Sequence, residues 1–209
     1  ENIGTVFHAD MTQAIGKVSV NMHDVDLASM SGHKIFGPKG IGLLYKSSMV
    51  KLTPLIMGSG KTNELKPGTP PLPLIAALSK SIRLANEGLE KKERFVSLLN
   101  EKIIAELSKY PNIMINKTKY SIPHVLNISI MNVMPEAMVH ALDKYEIYVS
   151  TNTACSSGDV SNSVIAVFDD LKRAKHTIRI SLSHVTTTEE VNKFLKIFKE
   201  EYEKLSLVK

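Results

Sequence analysis

Two hydrophobic rhythms divide this chain. Short apolar runs at residues 5–9, at Leu27-Ala28-Ser29-Met30 and at Ile41-Gly42-Leu43-Leu44-Tyr45 are bounded by polar or glycine positions. That length and punctuation predict buried strands. Residues 51–73 then lose all periodicity and are rich in proline and glycine, as a functional or mobile loop is. From Pro73 the rhythm becomes helical: Ile75, Leu78, Ile82 and Ala85 predict a helix to about residue 88. Phe95, Leu98, Leu99, Ile103 and Leu107 form the stripe of a second helix over about 89–110.

Tyr110-Pro111-Asn112 ends that helix, because the residue before a proline is pushed out of the helical region. A domain boundary is expected there, dividing 1–110 from 111–209. Beyond it strands and helices alternate: strands at 113–116 and 125–131, a helix at 135–145, a strand at 147–150, a helix at 161–172 and a strand at 177–183. Thr187-x-x-Glu190 is a capping box opening a final helix, with Val191, Phe194, Leu195, Phe198 and Tyr202 on one stripe. The mixture is that of an α/β protein, with no internal repeat or low-complexity tract.

Composition narrows the class. The 209 residues are 43% hydrophobic and carry a formal charge of +5, which is ordinary for a globular protein. Lysines are scattered over helical surfaces, and aromatic residues are few and not interleaved with them. Nucleic-acid binding is therefore not expected. No apolar run approaches the roughly 20 residues of a membrane span, so no membrane partner is expected. One cysteine cannot build a disulfide framework, which favours a reducing, cytoplasmic setting. The chain begins at Glu1 and runs almost at once into an apolar segment, so a truncated or processed polypeptide is expected.

The densest chemistry lies at Ser31-Gly32-His33-Lys34, followed by Phe36-Gly37-Pro38-Lys39-Gly40. A lysine just after a strand, beside a hydroxyl and an imidazole, suits a Schiff-base lysine in a phosphate-bearing cofactor site. His8-Ala9-Asp10-x-x-Gln13 adds a carboxylate and an amide at the end of another apolar run. Pyridoxal phosphate wants such a set: an amine for its aldehyde, an acid for its ring nitrogen and donors for its phosphate. The glycine-rich stretch 37–42 lacks the lysine and hydroxyl of a Walker loop and reads as the turn presenting Lys34.

These residues, with Thr151-Asn152-Thr153-Ala154-Cys155-Ser156 and Thr177-Ile178-Arg179-Ile180-Ser181, resemble the cysteine desulfurases of the class V aminotransferase group. The resemblance implies the pyridoxal-phosphate-dependent transferase fold of the aspartate-aminotransferase type, here a partial large domain plus a small α/β domain. It implies removal of sulfur from L-cysteine, giving alanine and a protein persulfide for a sulfur-acceptor or scaffold protein. Lys34 would carry the cofactor, Asp10 the ring nitrogen and Gln13 the phenolic oxygen. Ser31 and His33 would donate to the phosphate, and Thr69 would reach the phosphate of a second subunit in a homodimer. Lys66-Pro67 stands before Gly68-Thr69 where the family carries arginine-serine. Arg179 would clamp the substrate carboxylate and Cys155 would receive the sulfur.

Without the resemblance several positions read more plainly. Asp10 could close a strand, Gln13 could be a polar helix position, Arg179 an edge arginine and Cys155 a buried filler. His8 has no evident role, and His23, His124, His140, His176 and His184 show no metal-ligand spacing. The family's phosphate loop and ring-stacking histidine would lie upstream of residue 1, so the polypeptide alone is expected to be inactive or nearly so. Two rivals stand beside this reading. One is a related class V enzyme, an aminotransferase or selenocysteine lyase, that does not depend on Cys155. The other is a non-catalytic dimerisation or partner-binding fragment.

Overall fold

The computed structural model describes residues 4–58, 63, 65–151 and 160–207. It forms two compact units, one up to Lys92 and one from Glu93 onward.

In the first unit a three-stranded sheet runs in the order β1 (His8–Asp10), β2 (Leu27–Ser31), β3 (Gly42–Lys46). β1 lies parallel to β2, with Asp10 opposite Ser29. β3 returns antiparallel, with Ser31 opposite Gly42. The return is made by a 3-10 turn at Gly32–Ile35 and a left-handed Phe36 at φ 60°. The N–H of Gly32 donates to the Ile41 carbonyl at 3.0 Å, and that of Gly37 to the Gly32 carbonyl at 2.9 Å. A side chain at Gly32 would meet the Pro38 carbonyl at 3.0 Å and Leu78 at 3.1 Å, so the turn is packed as tightly as glycine allows.

Helix α1 (Leu72–Asn86) carries a proline in its first turn, where no intrahelical N–H is needed. Its Leu78 and Ala85 join Ile15, Met30 and Ile35 in a small core. The last carbonyls of α1 accept from Lys92 Nζ, at 2.6 Å for Leu84 and 3.3 Å for Ala85. This basic group satisfies carbonyls that a helix end leaves unpaired.

The unit division falls inside α2 (Leu89–Leu107), ahead of Tyr110-Pro111. The physical reason is the helix's second half. Val96, Leu99, Ile103 and Leu107 are fully or nearly fully buried in the core of the second unit. That core lies against an all-antiparallel sheet, in the order β4 (Ile113–Ile115), β5 (Val125–Ile130), β6 (Thr177–Ser181). α3 (Pro135–Asp143) and α6 (Thr188–Ser206) complete it. Phe198 lies near-parallel to Tyr202 with centroids 6.1 Å apart, while Tyr110 meets Tyr202 edge-on at 4.9 Å. α6 begins at the expected capping box: Glu190 N–H donates to Thr187 Oγ1 at 3.1 Å and Thr187 N–H donates to Glu190 Oε2 at 2.7 Å.

Three expected elements change. The run at 5–9 is not a buried strand: only His8–Asp10 pairs, and Val6 and Phe7 are 52% and 57% exposed. Nothing among the described residues layers over them. The strand at 147–150 reduces to a single bridge between Ser150 and Arg179. Glu146 at φ 61° turns the chain there, and Tyr148 is 77% exposed. The helix at 161–172 is two short ones, α4 (Asn162–Phe168) and α5 (Leu171–Lys175). Asp169 ends the first in the left-handed region, and Asp170 caps the second by accepting from Arg173 N–H at 2.8 Å.

Candidate cofactor site

β1 and β2 run parallel and in register, so their C-terminal ends lie side by side and present their chemistry at one edge. Asp10 is the last residue of β1. Its carboxylate accepts from Thr12 N–H at 2.9 Å. Hydrogen bonds from the Thr12 side chain and then its backbone hold the Asp10 carboxyl below the ordinary carboxylate value, with a smaller contribution from His8. Asp10 is therefore anionic at neutral pH.

Beyond Asp10 the chain makes one helical turn, Ala14 and Ile15 N–H donating to the Met11 carbonyl at 3.0 Å each. Gln13 and Lys17, four residues apart, fall on one side of it. Lys17 Nζ donates to Gln13 Oε1. Burial first, and the charge of Lys34 second, hold the Lys17 amine below its ordinary value. Sequence reading alone overlooked Lys17. Its signal was the Gln13-x-x-x-Lys17 spacing.

At the end of β2, Ser31 Oγ and His33 Nδ1 are hydrogen-bonded at 2.7 Å. His33 and Lys34 ride the Gly32–Ile35 turn, both exposed, with Gly32 and Ile35 buried beneath them. Asp10, Gln13, Ser31, His33 and Lys34 therefore belong to adjacent strand ends and the turns that follow. Thr69 is exposed in the irregular stretch before α1, just after Gly68 at φ 113°.

Arg179 belongs to the second unit, at the middle of β6 opposite Asn127. Its backbone exchanges hydrogen bonds with Ser150, at 2.6 Å and 3.2 Å. Its Nε is buried with no hydrogen-bond acceptor in reach among the described residues. Cys155 lies outside the described residues. A polar network not foreseen in the sequence sits nearby in the chain. Arg173 donates to Asn116 Oδ1 and to the Ile115 carbonyl, the latter at 2.8 Å, with its guanidinium 3.7 Å from the Phe168 ring centroid. No group of three metal-ligating side chains occurs among the described residues. No helix among them is long and apolar enough to cross a membrane.

The class-V aminotransferase profile matches residues 1–194. The chain belongs to that family. Its members in general depend on pyridoxal phosphate. A NifS/IcsS homologue from Lactobacillus delbrueckii is 35% identical over 97% of this chain and 54% of its own length. A human cysteine desulfurase is 33% identical over 89% of this chain and 42% of its own length. A solved NifS-like protein superimposes with a TM-score of 0.83 at 33% identity, over 98% of this chain and 53% of that one. Another, from Rickettsia africae, gives 0.81 at 31% identity, over 95% and 54%. The class-V aminotransferase fold is thereby established as the α/β fold of this chain. The chain spans about half the length of the relatives it matches.

Proposed function

We propose that this chain is the lysine-bearing part of a pyridoxal-phosphate-dependent cysteine desulfurase. The observation that carries the reading is the meeting of Lys34, the Ser31–His33 pair, Asp10 and the Gln13–Lys17 pair at neighbouring strand ends. The donor set fits the cofactor chemically. An anionic Asp10 suits a protonated ring nitrogen, and a hydroxyl beside an imidazole suits a phosphate dianion. Lys34 supplies the amine. When bound, the cofactor supplies an electron sink for the substrate's α-carbon.

The chain's own residues do the rest. Arg179, whose buried Nε lacks an acceptor among the described residues, binds the carboxylate of L-cysteine, for which a planar guanidinium is the better match. Cys155 attacks the substrate sulfur as a thiolate; the sulfur–sulfur bond forms as the carbon–sulfur bond breaks, and the carbon keeps that electron pair. Lys34 delivers a proton to the substrate, which leaves as alanine. Cys155 keeps the persulfide for a sulfur-acceptor or scaffold protein. Thr69 serves the phosphate of a second subunit in a homodimer, and the setting is the reducing cytoplasm.

Asp10, Gln13, His33 and Lys34 are all exposed, so one side of the site stands open to water. Chemistry on a developing carbanion needs water excluded, and the chain alone is therefore proposed to be nearly inactive in sustained turnover. The test is to incubate it with pyridoxal phosphate and L-cysteine, quantifying alanine and the mass of the Cys155 peptide. The reading expects at most a stoichiometric burst of alanine matched by one added sulfur on Cys155. Alanine formed without any persulfide, and unchanged in Cys155→Ala, would contradict it and favour a class-V lyase that does not use the thiol.

A further inference from the structure

Lys17 is half-buried one helical turn beyond Gln13, and its side chain has the geometry of an orienting group. A lysine ammonium only donates hydrogen bonds, whereas a carboxamide has an accepting end and a donating end. Lys17 Nζ is bonded to Gln13 Oε1. The oxygen of Gln13 is thereby committed, and its Nε2 is the end that remains to donate. An unanchored glutamine would present either end. We propose that Lys17 is a positioning residue of the cofactor site, turning Gln13 so that its amide donor, rather than its carbonyl, meets an oxyanion bound beside Lys34.

The surroundings agree. The Lys17 amine is disfavoured as a cation by burial and by the charge of Lys34. Two neighbouring ammonium groups, one of them half-buried, are relieved by an anionic ligand and aggravated by a cationic one. Gly16, at φ 69°, immediately precedes Lys17 and packs on Ala85, where an added Cβ would stand 2.6 Å from that side chain. Lys17 is itself partly buried, which narrows the freedom of its side chain relative to a fully solvated lysine.

The inference rests on the cofactor reading above, and the experiment separates the two. Wild type, Lys17→Met and Lys17→Arg are labelled with 15N-glutamine, and the Gln13 side-chain NH₂ signals are assigned by their loss in Gln13→Ala. Each protein is also titrated with pyridoxal phosphate, reduced with borohydride and mapped. Lys17→Met should move the Gln13 NH₂ pair to solvent-exposed positions and weaken pyridoxal phosphate binding about three- to tenfold, the scale of one net hydrogen bond. Lys17→Arg, which keeps a donor, should restore both. Unchanged Gln13 signals, or equal weakening by both variants, would overturn the positioning role while labelled Lys34 left the cofactor reading intact. A wild-type chain unlabelled at Lys34 would overturn both.

Discussion

Gly16→Ala is the sharpest probe of how the first unit holds its lysines. Gly16 has φ 69°, and an alanine Cβ there would stand 2.6 Å from Ala85 Cβ and 3.3 Å from Ile35 Cγ2. Left-handed backbone costs an L-residue about 1–2 kcal/mol. Forcing a methyl into a packed site adds about 1–3 kcal/mol, and the stiffer unfolded chain returns about 0.4–1 kcal/mol. The net loss is about 1–5 kcal/mol, large against the ~5–15 kcal/mol stability of a domain. Because Ala85 and Ile35 belong to the small core of the first unit, the loss should be local. Native-state hydrogen exchange reads it directly: β2 amides such as Met30 should exchange faster, while β5 amides such as Ile128 in the second unit should not change. Adding Ala85→Gly removes the opposing methyl but not the backbone strain, so the pair should couple by about 1 kcal/mol or more in the favourable direction. A loss below about 0.5 kcal/mol, or strictly additive effects, would refute the packing argument.

Other consequences are as direct. Thr187→Ala should destabilise α6 by about 1 kcal/mol in urea melts, since the lost hydroxyl is the acceptor for the Glu190 N–H at the helix start. Its partner Glu190 is held below the ordinary carboxylate value by hydrogen bonds from the Thr187 backbone and then its side chain. A lowered folded value means that the stabilisation is present above about pH 4.5, the ordinary value, and is lost as pH falls through the lowered one. Stability of the wild type should therefore drop more steeply on acidification than that of Thr187→Ala. Asn116→Ala strips an acceptor from Arg173 Nε and a shared donor from Asn127 and Ser129. It should cost about 1–3 kcal/mol and speed amide exchange at Arg173 and Ala174 in α5; unchanged exchange there would contradict the network.

What could be read from the sequence follows the range of the interactions. Helices α1, α2 and α6 announce themselves because their stripes and caps are local, and Thr187 with Glu190 needs only three residues to form its box. Ser31 to Lys34 were legible for the same reason, being neighbours in the chain. The break between α4 and α5 was encoded in Asp169-Asp170, one turning left-handed and the next capping, but two aspartates in a helical pattern do not declare that by themselves. Residues 147–150 look like a strand because their apolar content does not reveal that Glu146 turns the chain and only Ser150 pairs with Arg179. Val6 and Phe7 are apolar enough to read as buried, yet they stand 52% and 57% exposed, an outcome set by tertiary packing and not by local pattern. Lys17 escaped notice because a lysine is ordinarily a solvated surface group, and only its contact with Gln13 gives it a role. Arg179 came from the resemblance; that its buried Nε has no hydrogen-bond partner among the described residues is a tertiary fact that no local pattern carries.

The most direct test of the central claim is to add pyridoxal phosphate to the chain, reduce it with borohydride and locate the label by peptide mapping. The account predicts a saturable pyridoxyl adduct on Lys34, abolished in Lys34→Ala and weakened when Asp10 or His33 is removed. Label spread evenly over the surface lysines, or gathered at another one with Lys34 unmodified, would contradict it.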